Sequence, residues 1–341
     1  MKPIKLIVVF LLFLSTTAFS QKKEESLVHW MTLKEAVEAV KVQPKPILLD
    51  FYTDWCGWCK RMMVTTYSDS SIAFYLNQNF YAVKFDAEGK DTVVFQGKEY
   101  KPTSMSPKTP HPLAVELLQG KLMYPSTLFL NAYDAKKGEF QIKLLAPGYL
   151  DREKIEPILV FTLENVYRNS SLEDFTIAFN IAFRDSTVNS RMAKLKWLQA
   201  EKVFDGNYSS SKKKLVFMYT DWCNSCRVMQ RGVFIDSLLT GILDTFDLVD
   251  FNPDVNKPLF WNGKLYQKDP KERFPFHPLS LPFTKNNFVL PSMTLLDEQG
   301  QIIDAIPFFL DPKVMLQILR YYGQNIYKQK SWADFQKEKE N

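Results

Sequence analysis

One phrase occurs twice in this chain. "FYTDWCGWCK" fills residues 51–60 and "MYTDWCNSCR" fills residues 218–227. The likeness runs well beyond the phrase. Trp30 matches Trp197 and "LLDFYTDWC" matches "LVFMYTDWC" at an offset of 167. The offset then becomes 166: "VKFDAEGKDTVVFQGKEY" faces "VDFNPDVNKPLFWNGKLY", His111-Pro112-Leu113 faces His277-Pro278-Leu279, and "YPSTLFL" faces "LPSMTLL". At an offset of 160, Tyr167 and "SLEDF" match Tyr327 and "SWADF". Six blocks in one order describe a duplicated unit. A length of 341 residues also exceeds what one ordinary core holds. The division expected is 27–178 for the first domain and 195–341 for the second. The stretch 179–194 between them has no proline or glycine cluster and reads as a helical connector.

Each unit reads as α/β. "TLKEAVEAVKV" spaces its apolar residues as a helix does, with Thr32 as N-cap. "KPILLDFYT" is an apolar run of strand length, the cysteine pair follows it, and "CKRMMVTTYSDSSIAFYLNQNF" begins as a helix. "YAVKFDA" is the next strand. "STLFLN" and "FQIKLLAP" form a hairpin about a turn at Gly138, and "DREKIEPILVFTLENVYR" closes the unit as a helix. At 46% apolar and 24% charged residues, the composition is that of a globular chain. A net charge of +5, without a basic stripe or a phosphate-cradling glycine loop, argues against nucleic acid as a partner.

The N-terminus "MKPIKLIVVFLLFLSTTAFSQ" places Lys2 and Lys5 before an apolar run from Leu6 to Leu14 and ends that region in Ala18-Phe19-Ser20. This is the pattern of a cleaved secretory signal, residues 1–20; the alternative is an uncleaved tether. The run is about half the ~20 residues that span a bilayer. An exported, periplasmic or secreted location follows, where disulfides persist.

All four cysteines, Cys56, Cys59, Cys223 and Cys226, lie in the repeated phrase. Disulfides used as staples close long loops, and these would close short ones. A cysteine at the first turn of a helix faces unpaired backbone N–H groups, which support a thiolate. Cys56 is therefore the expected nucleophile, and Cys59, three residues on along the same face, the resolving thiol. Lys60 and Arg227 add positive charge nearby. Zinc is disfavoured, because that site needs a second pair about 15–20 residues away. No metal or cofactor is expected. An inert bridge stays open, more so for the second pair.

"LLDFYTDWCGWCK", with a Pro-Ser opening a later strand, resembles the thioredoxin superfamily, and within it the exported proteins related to the periplasmic C-terminal domain of thiol–disulfide interchange proteins. The resemblance implies two tandem thioredoxin-like domains, each a central mixed β-sheet flanked by helices. It implies a cis-proline beside each cysteine pair, Pro125 and Pro291, where a client segment would lie; Trp58, Tyr124 and Leu290 flank these positions as expected client contacts, and Trp55 and Trp222 beside the pairs offer a partner an apolar surface or serve as packing residues. Its partners would be cysteine-containing exported proteins, with a membrane electron donor of the interchange type.

Asp50, six residues before Cys56, interrupts an apolar strand. Its carboxyl should be partly buried and raised in pKa, suited to moving the proton of the resolving cysteine. The second unit has Phe217 there. The dipeptide between the cysteines also differs, Gly57-Trp58 against Asn224-Ser225, and neither is the Gly-Pro of thioredoxin. From Cys56 to Pro125 is 69 residues and from Cys223 to Pro291 is 68, which requires an insertion at the rim before each proline strand. His111 and His277 lie in it and read as local structure. The expected activity is thiol–disulfide exchange, for which the resemblance implies the reducing or isomerising direction. A disulfide-forming oxidase and a redox-inert tandem binding or chaperone-like module are the alternatives.

Overall fold

The computed structural model describes residues 26–131 and 139–340. The expected signal segment and the turn at Gly138 lie outside the described residues. Strand β1 (Trp30–Met31) leads into helix α1 (Leu33–Val42). Thr32 starts that helix with a reciprocal cap: Glu35 N–H donates to Thr32 Oγ1 at 3.2 Å, and Thr32 N–H donates to the Glu35 carboxylate at 2.7 Å. Such a box satisfies two otherwise orphaned donors. Strand β2 (Ile47–Tyr52) follows, then α2 (Gly57–Thr65) and α3 (Ser70–Asn79). The helical run read after the cysteines is thus two helices. It breaks where the Asp69 carboxylate accepts from Ser71 N–H and Ile72 N–H and starts a new helix. The break carries Tyr67 into the core.

Next come β3 (Tyr81–Asp86), β4 (Val93–Phe95), β5 (Lys98–Tyr100), α4 (Pro112–Leu117), β6 (Ser126–Leu130), β7 (Ile142–Pro147) and α5 (Arg152–Leu163). The sheet order is β1-β3-β2-β6-β7, parallel among the first three and antiparallel from β2 outward through β6 and β7. β2 is central and covered on both faces, so its run is apolar throughout except at Asp50. The insertion before the proline strand contains a hairpin, β4–β5. Its turn residues Gln96 and Gly97 have φ of 50° and 75°, the positive pair that a two-residue hairpin with the strands' twist requires.

Helix α6 (Leu172–Arg184) and the short α7 (Val188–Met192) lead to β8 (Trp197–Gln199), α8 (Ala200–Val203), β9 (Lys213–Met218) and α9 (Asn224–Val228). The second sheet is completed by β10 (Phe246–Phe251), β13 (Ser292–Leu296) and β14 (Ile302–Pro307); between them lie the hairpin β11 (Leu259–Trp261) and β12 (Lys264–Tyr266), then α10 (Ser280–Phe283). Helices α11 (Pro312–Gly323) and α12 (Trp332–Glu340) end the chain. The order β8-β10-β9-β13-β14 repeats the first sheet. The fold is two tandem thioredoxin-like sheets, as the duplication required.

The copies differ after the cysteines. Where the first unit has α2 and α3, the second has the five-residue α9, a π-helical turn at Met229–Val233 and two 3-10 turns. Helix α6 packs over this stretch. Phe175, Ala178, Phe179 and Ala182 from α6, with Val160 and Phe161 from α5, share one buried cluster with Phe217, Cys223, Cys226 and Met229. The core of the second unit is built partly from helices that belong to the first repeat.

Candidate active site

Cys56 is the N-cap of α2, at the end of the loop that leaves the central strand. Its Sγ accepts from Cys59 N–H at 3.0 Å, and the two cysteines form a disulfide. A sulfur held against a free amide of the first helical turn is placed where backbone donors support a thiolate. Both cysteines are buried, each 4% exposed.

Asp50 is 2% exposed, as its strand position requires. Burial pushes its carboxyl up to about 7, while the charge of Lys84 and a hydrogen bond from Tyr67 pull it down. Tyr67 Oη donates to Asp50 Oδ1 at 3.3 Å. Asp50 and Cys59 line the same cavity of about 610 Å³, together with Trp30, Thr53, Lys60 and Lys84. The arrangement sets a carboxyl that changes charge near neutral pH beside the space next to the buried cysteine.

The rim is aromatic. Trp55 is exposed, its Nε1–H donates to the Glu88 carboxylate at 3.0 Å, and its ring stands edge-on to Tyr124 at 6.2 Å. Tyr124 precedes a cis peptide bond to Pro125, so this ring pair links the cysteine loop to the proline loop. On the other side Trp58, also exposed, leans on Tyr149 at 5.4 Å with the Arg61 guanidinium 5.7 Å from its ring centre.

The second pair repeats the frame. Cys223 is the N-cap of α9, its Sγ accepts from Cys226 N–H at 3.2 Å, and the two are joined as a disulfide. Leu290–Pro291 is cis, and Leu290 is half-buried against the core. Trp222 is exposed and lies 6.2 Å from Phe276, which stacks on Phe288 at 4.4 Å. Arg227 lies over the Phe183 ring at 5.1 Å.

The buried acid of the central strand does not repeat. Phe217 stands at the Asp50 position, stacked on Tyr219 at 5.6 Å. Across the strand pair, Asp50 faces Lys84 in one unit and Phe217 faces Asp250 in the other. Burial raises the Asp250 carboxyl, with Tyr219 opposing. The acid has moved to the neighbouring strand.

The histidines hold the insertions. His111 Nδ1 accepts from Leu113 N–H at 3.2 Å, and its Nε2 lies 3.0 Å from Asp91 O, which sets the neutral Nε2–H tautomer. His277 makes the same two bonds, to Leu279 N–H and Lys257 O. Both are pins between loop and helix.

Sequence reasoning missed Glu164. It follows α5 in the first repeat, and its carboxylate accepts from Asn224 N–H at 3.1 Å and Ser225 N–H at 2.7 Å, inside the second Cys-x-x-Cys loop. At the offset of 160 its counterpart is Gln324, so the available signal was a charge lost between matched positions.

Two thioredoxin-like sheets, each delivering a Cys-x-x-Cys disulfide to a helix start, define a thiol–disulfide oxidoreductase. A family model named Thioredox_DsbH, described as a protein of unknown function, DUF255, matches residues 11–145, which contain the first pair. No curated protein matches. Among solved structures, a putative disulphide-isomerase from Bacteroides thetaiotaomicron is 23% identical, over 39% of this chain and 90% of that one, with a TM-score of 0.28. The C-terminal domain of DsbD from Neisseria meningitidis, in its oxidised form, is 20% identical over 36% of this chain and 84% of that one, with a TM-score of 0.23. A chain described as DsbH Oxidoreductase is 21% identical over 36% of this chain and 74% of that one, with a TM-score of 0.25. Both sheets carry the same strand order, β1-β3-β2-β6-β7 and β8-β10-β9-β13-β14. Among the described residues no helix is long and apolar enough to cross a membrane, and no group of His, Cys, Asp and Glu is placed to hold a metal ion.

Proposed function

We propose that the chain is an exported reductase or isomerase of protein disulfides, working through Cys56–Cys59 in a first domain of residues 27–178. The second domain, residues 195–341 after a connector at 179–194, carries the subsidiary pair Cys223–Cys226. The observation that carries this reading is the placement of Cys56 Sγ on the Cys59 amide at 3.0 Å, with Asp50 and Cys59 lining one cavity behind it.

In the reducing direction the Cys56 thiolate attacks one sulfur of a client disulfide. A mixed disulfide forms, and the other client sulfur leaves as a thiolate that takes up a proton. Asp50 takes the proton of Cys59, whose sulfur then attacks Cys56 Sγ. The client departs as a dithiol and Cys56–Cys59 becomes a disulfide. A dithiol donor must then reduce it, becoming a disulfide in turn. Trp55, Trp58, Tyr124 and Pro125 would line the client on the first domain, and Trp222, Leu290 and Pro291 on the second. Export rests on the reading of residues 1–20, and the direction on the thioredoxin-like resemblance. Clients are exported proteins with cysteines, and the donor a membrane protein of the interchange type.

Cys59→Ala tests the reading. The variant should accumulate disulfide-linked clients on Cys56, released by dithiothreitol and absent from Cys56→Ala/Cys59→Ala. A Cys59→Ala protein that traps no disulfide-bonded client would leave only a redox-inert binding module.

A further inference from the structure

The second cysteine pair is met by a residue from the other repeat. Glu164 reaches out of the first unit and is half-buried where it meets α9. Its carboxylate accepts from the amides of Asn224 and Ser225, and its Oε2 lies 3.8 Å from Cys223 Sγ. These two amides are the ones that stand ahead of the Cys226 amide at the helix start. Among the described residues no carboxylate takes the matching amides of Gly57 and Trp58.

We infer that Glu164 is a tuning residue that suppresses Cys223 as a nucleophile: its carboxylate holds the backbone donors that would otherwise support a Cys223 thiolate and sets a negative charge against that sulfur. In the disulfide, Sγ has no proton to give. When an external dithiol reduces the pair, the S–S bond of Cys223–Cys226 breaks, two thiols form and the donor becomes a disulfide. The new Cys223 S–H then faces Glu164 Oε2 and is placed to donate to it. A hydrogen bond that exists only in the neutral thiol, and a like charge beside the thiolate, both oppose ionisation. Glu164 departs from its solvent behaviour as well: burial raises its carboxyl, and the bonds from Ser225 and Asn224 oppose the rise.

The other groups around the carboxyl do not offset the charge. Tyr75 of α3 is kept neutral by burial and by Glu164 itself. Arg227 of α9 lies over Phe183, and Arg184 of α6 is engaged by Glu156 at 2.8 Å. The guard and the site sit on different repeats but share one core, so displacing α5 and α6 from α9 would free Cys223. The second pair is thereby a redox site whose reactivity depends on how the two repeats dock.

The inference rests on reading Cys223–Cys226 as a redox pair, and its test reads the thiol directly, whatever the client. The full chain carrying Cys56→Ala/Cys59→Ala is reduced with dithiothreitol, and iodoacetamide alkylation of Cys223 is followed against pH by peptide mass mapping. Cys223 should titrate at or above the ordinary value of about 8.5. Adding Glu164→Gln, which removes the charge and keeps one side-chain oxygen to accept from one of the two amides, should lower that pKa by roughly one unit or more and speed alkylation at pH 7 about tenfold. A role that is only structural predicts an unmoved profile in Glu164→Gln, and that result overturns the inference. If the Gln variant does not fold, the parent curve decides. A Cys223 that titrates below about 7.5 overturns the inference, and one at or above 8.5 supports it. Client trapping by Cys59→Ala can succeed or fail independently of either curve.

Discussion

Asp50 lies directly across from Lys84 in the parallel register of β2 and β3. The lysine charge is the main counterweight to the burial that lifts the Asp50 carboxyl to about 7. A carboxyl poised there is ionised in about half the molecules at neutral pH, so it can accept a proton without being too weak a base to hold one.

The first prediction concerns that proton. If Asp50 takes it from Cys59, release of the mixed disulfide should slow as pH falls through about 7, because the base becomes protonated. Asp50→Asn should lose this inflection and slow the resolving step on the order of a hundredfold. Single-turnover release of a client peptide held on Cys56, followed between pH 5 and 9, measures both. A wild-type profile that is flat through this range would remove Asp50 from the mechanism.

The same carboxyl should be a cost to the fold. Its folded pKa of about 7 lies above the ordinary 3.8, so between these values the folded state binds more protons than the unfolded one. Stability therefore falls as pH rises through this window and levels off above it. The full difference is on the order of 4 kcal/mol above pH 7, an upper figure for a neutral replacement. Asp50→Asn should raise the urea midpoint over wild type at pH 8 and leave it close to wild type at pH 4. An equal effect at both values would mean that packing, not charge, is what the substitution changes.

Much of this site was legible in the chain itself, and the reasons are specific. The cysteines, Asp50 and both prolines were visible because the duplication aligned them and because one acid in an apolar strand stands out. Thr32 announced α1 in a similarly local way, as an N-cap directly before the helix-spaced apolar run. The β11–β12 hairpin was not read from the chain, although Asn262-Gly263, with φ of 49° and 73°, carries its local turn signal. Glu164 was not legible. It meets its partners about 60 residues later and across a boundary between repeats, so no local pattern marks it. The shortened α9 was hidden likewise, because what replaces α3 over it is a helix from the other repeat.

That helix-on-helix contact gives the third prediction. A Cβ on Gly232 would lie 2.3 Å from Ala178 O and 3.0 Å from Ala178 C, both backbone atoms of α6. Backbone cannot rotate aside as a side chain can, so Gly232→Ala must push α6 away from the π turn. Overpacking of this kind costs about 1–3 kcal/mol. Gly57→Ala is the control, since a Cβ there meets nothing within 4 Å. Urea unfolding should show a lowered midpoint for Gly232→Ala alone. The looser variant should also expose Cys223 to alkylation after reduction. Unchanged stability in Gly232→Ala would mean that α6 is not seated on α9 as described.

The last prediction separates binding from chemistry at the rim. Trp58 stands exposed beside Cys56, held by Tyr149 at 5.4 Å and by Arg61. An aromatic ring already fixed in place loses little freedom on meeting a partner, and exposed tryptophans of this kind commonly anchor interfaces. Its side chain is not part of the lining of the Asp50 cavity, and its truncation leaves in place the Cys59 peptide N–H that Cys56 accepts from. Trp58→Ala in the Cys59→Ala background should therefore slow capture of a disulfide-bonded client protein about three- to tenfold, at the lower end of an anchor's contribution. Reaction of Cys56 with a small aromatic disulfide reagent should stay within about twofold of the parent. A matching fall with the small reagent would place the effect on the thiol, whereas an unchanged rate with the protein client would show that this face of α2 does not meet clients at all.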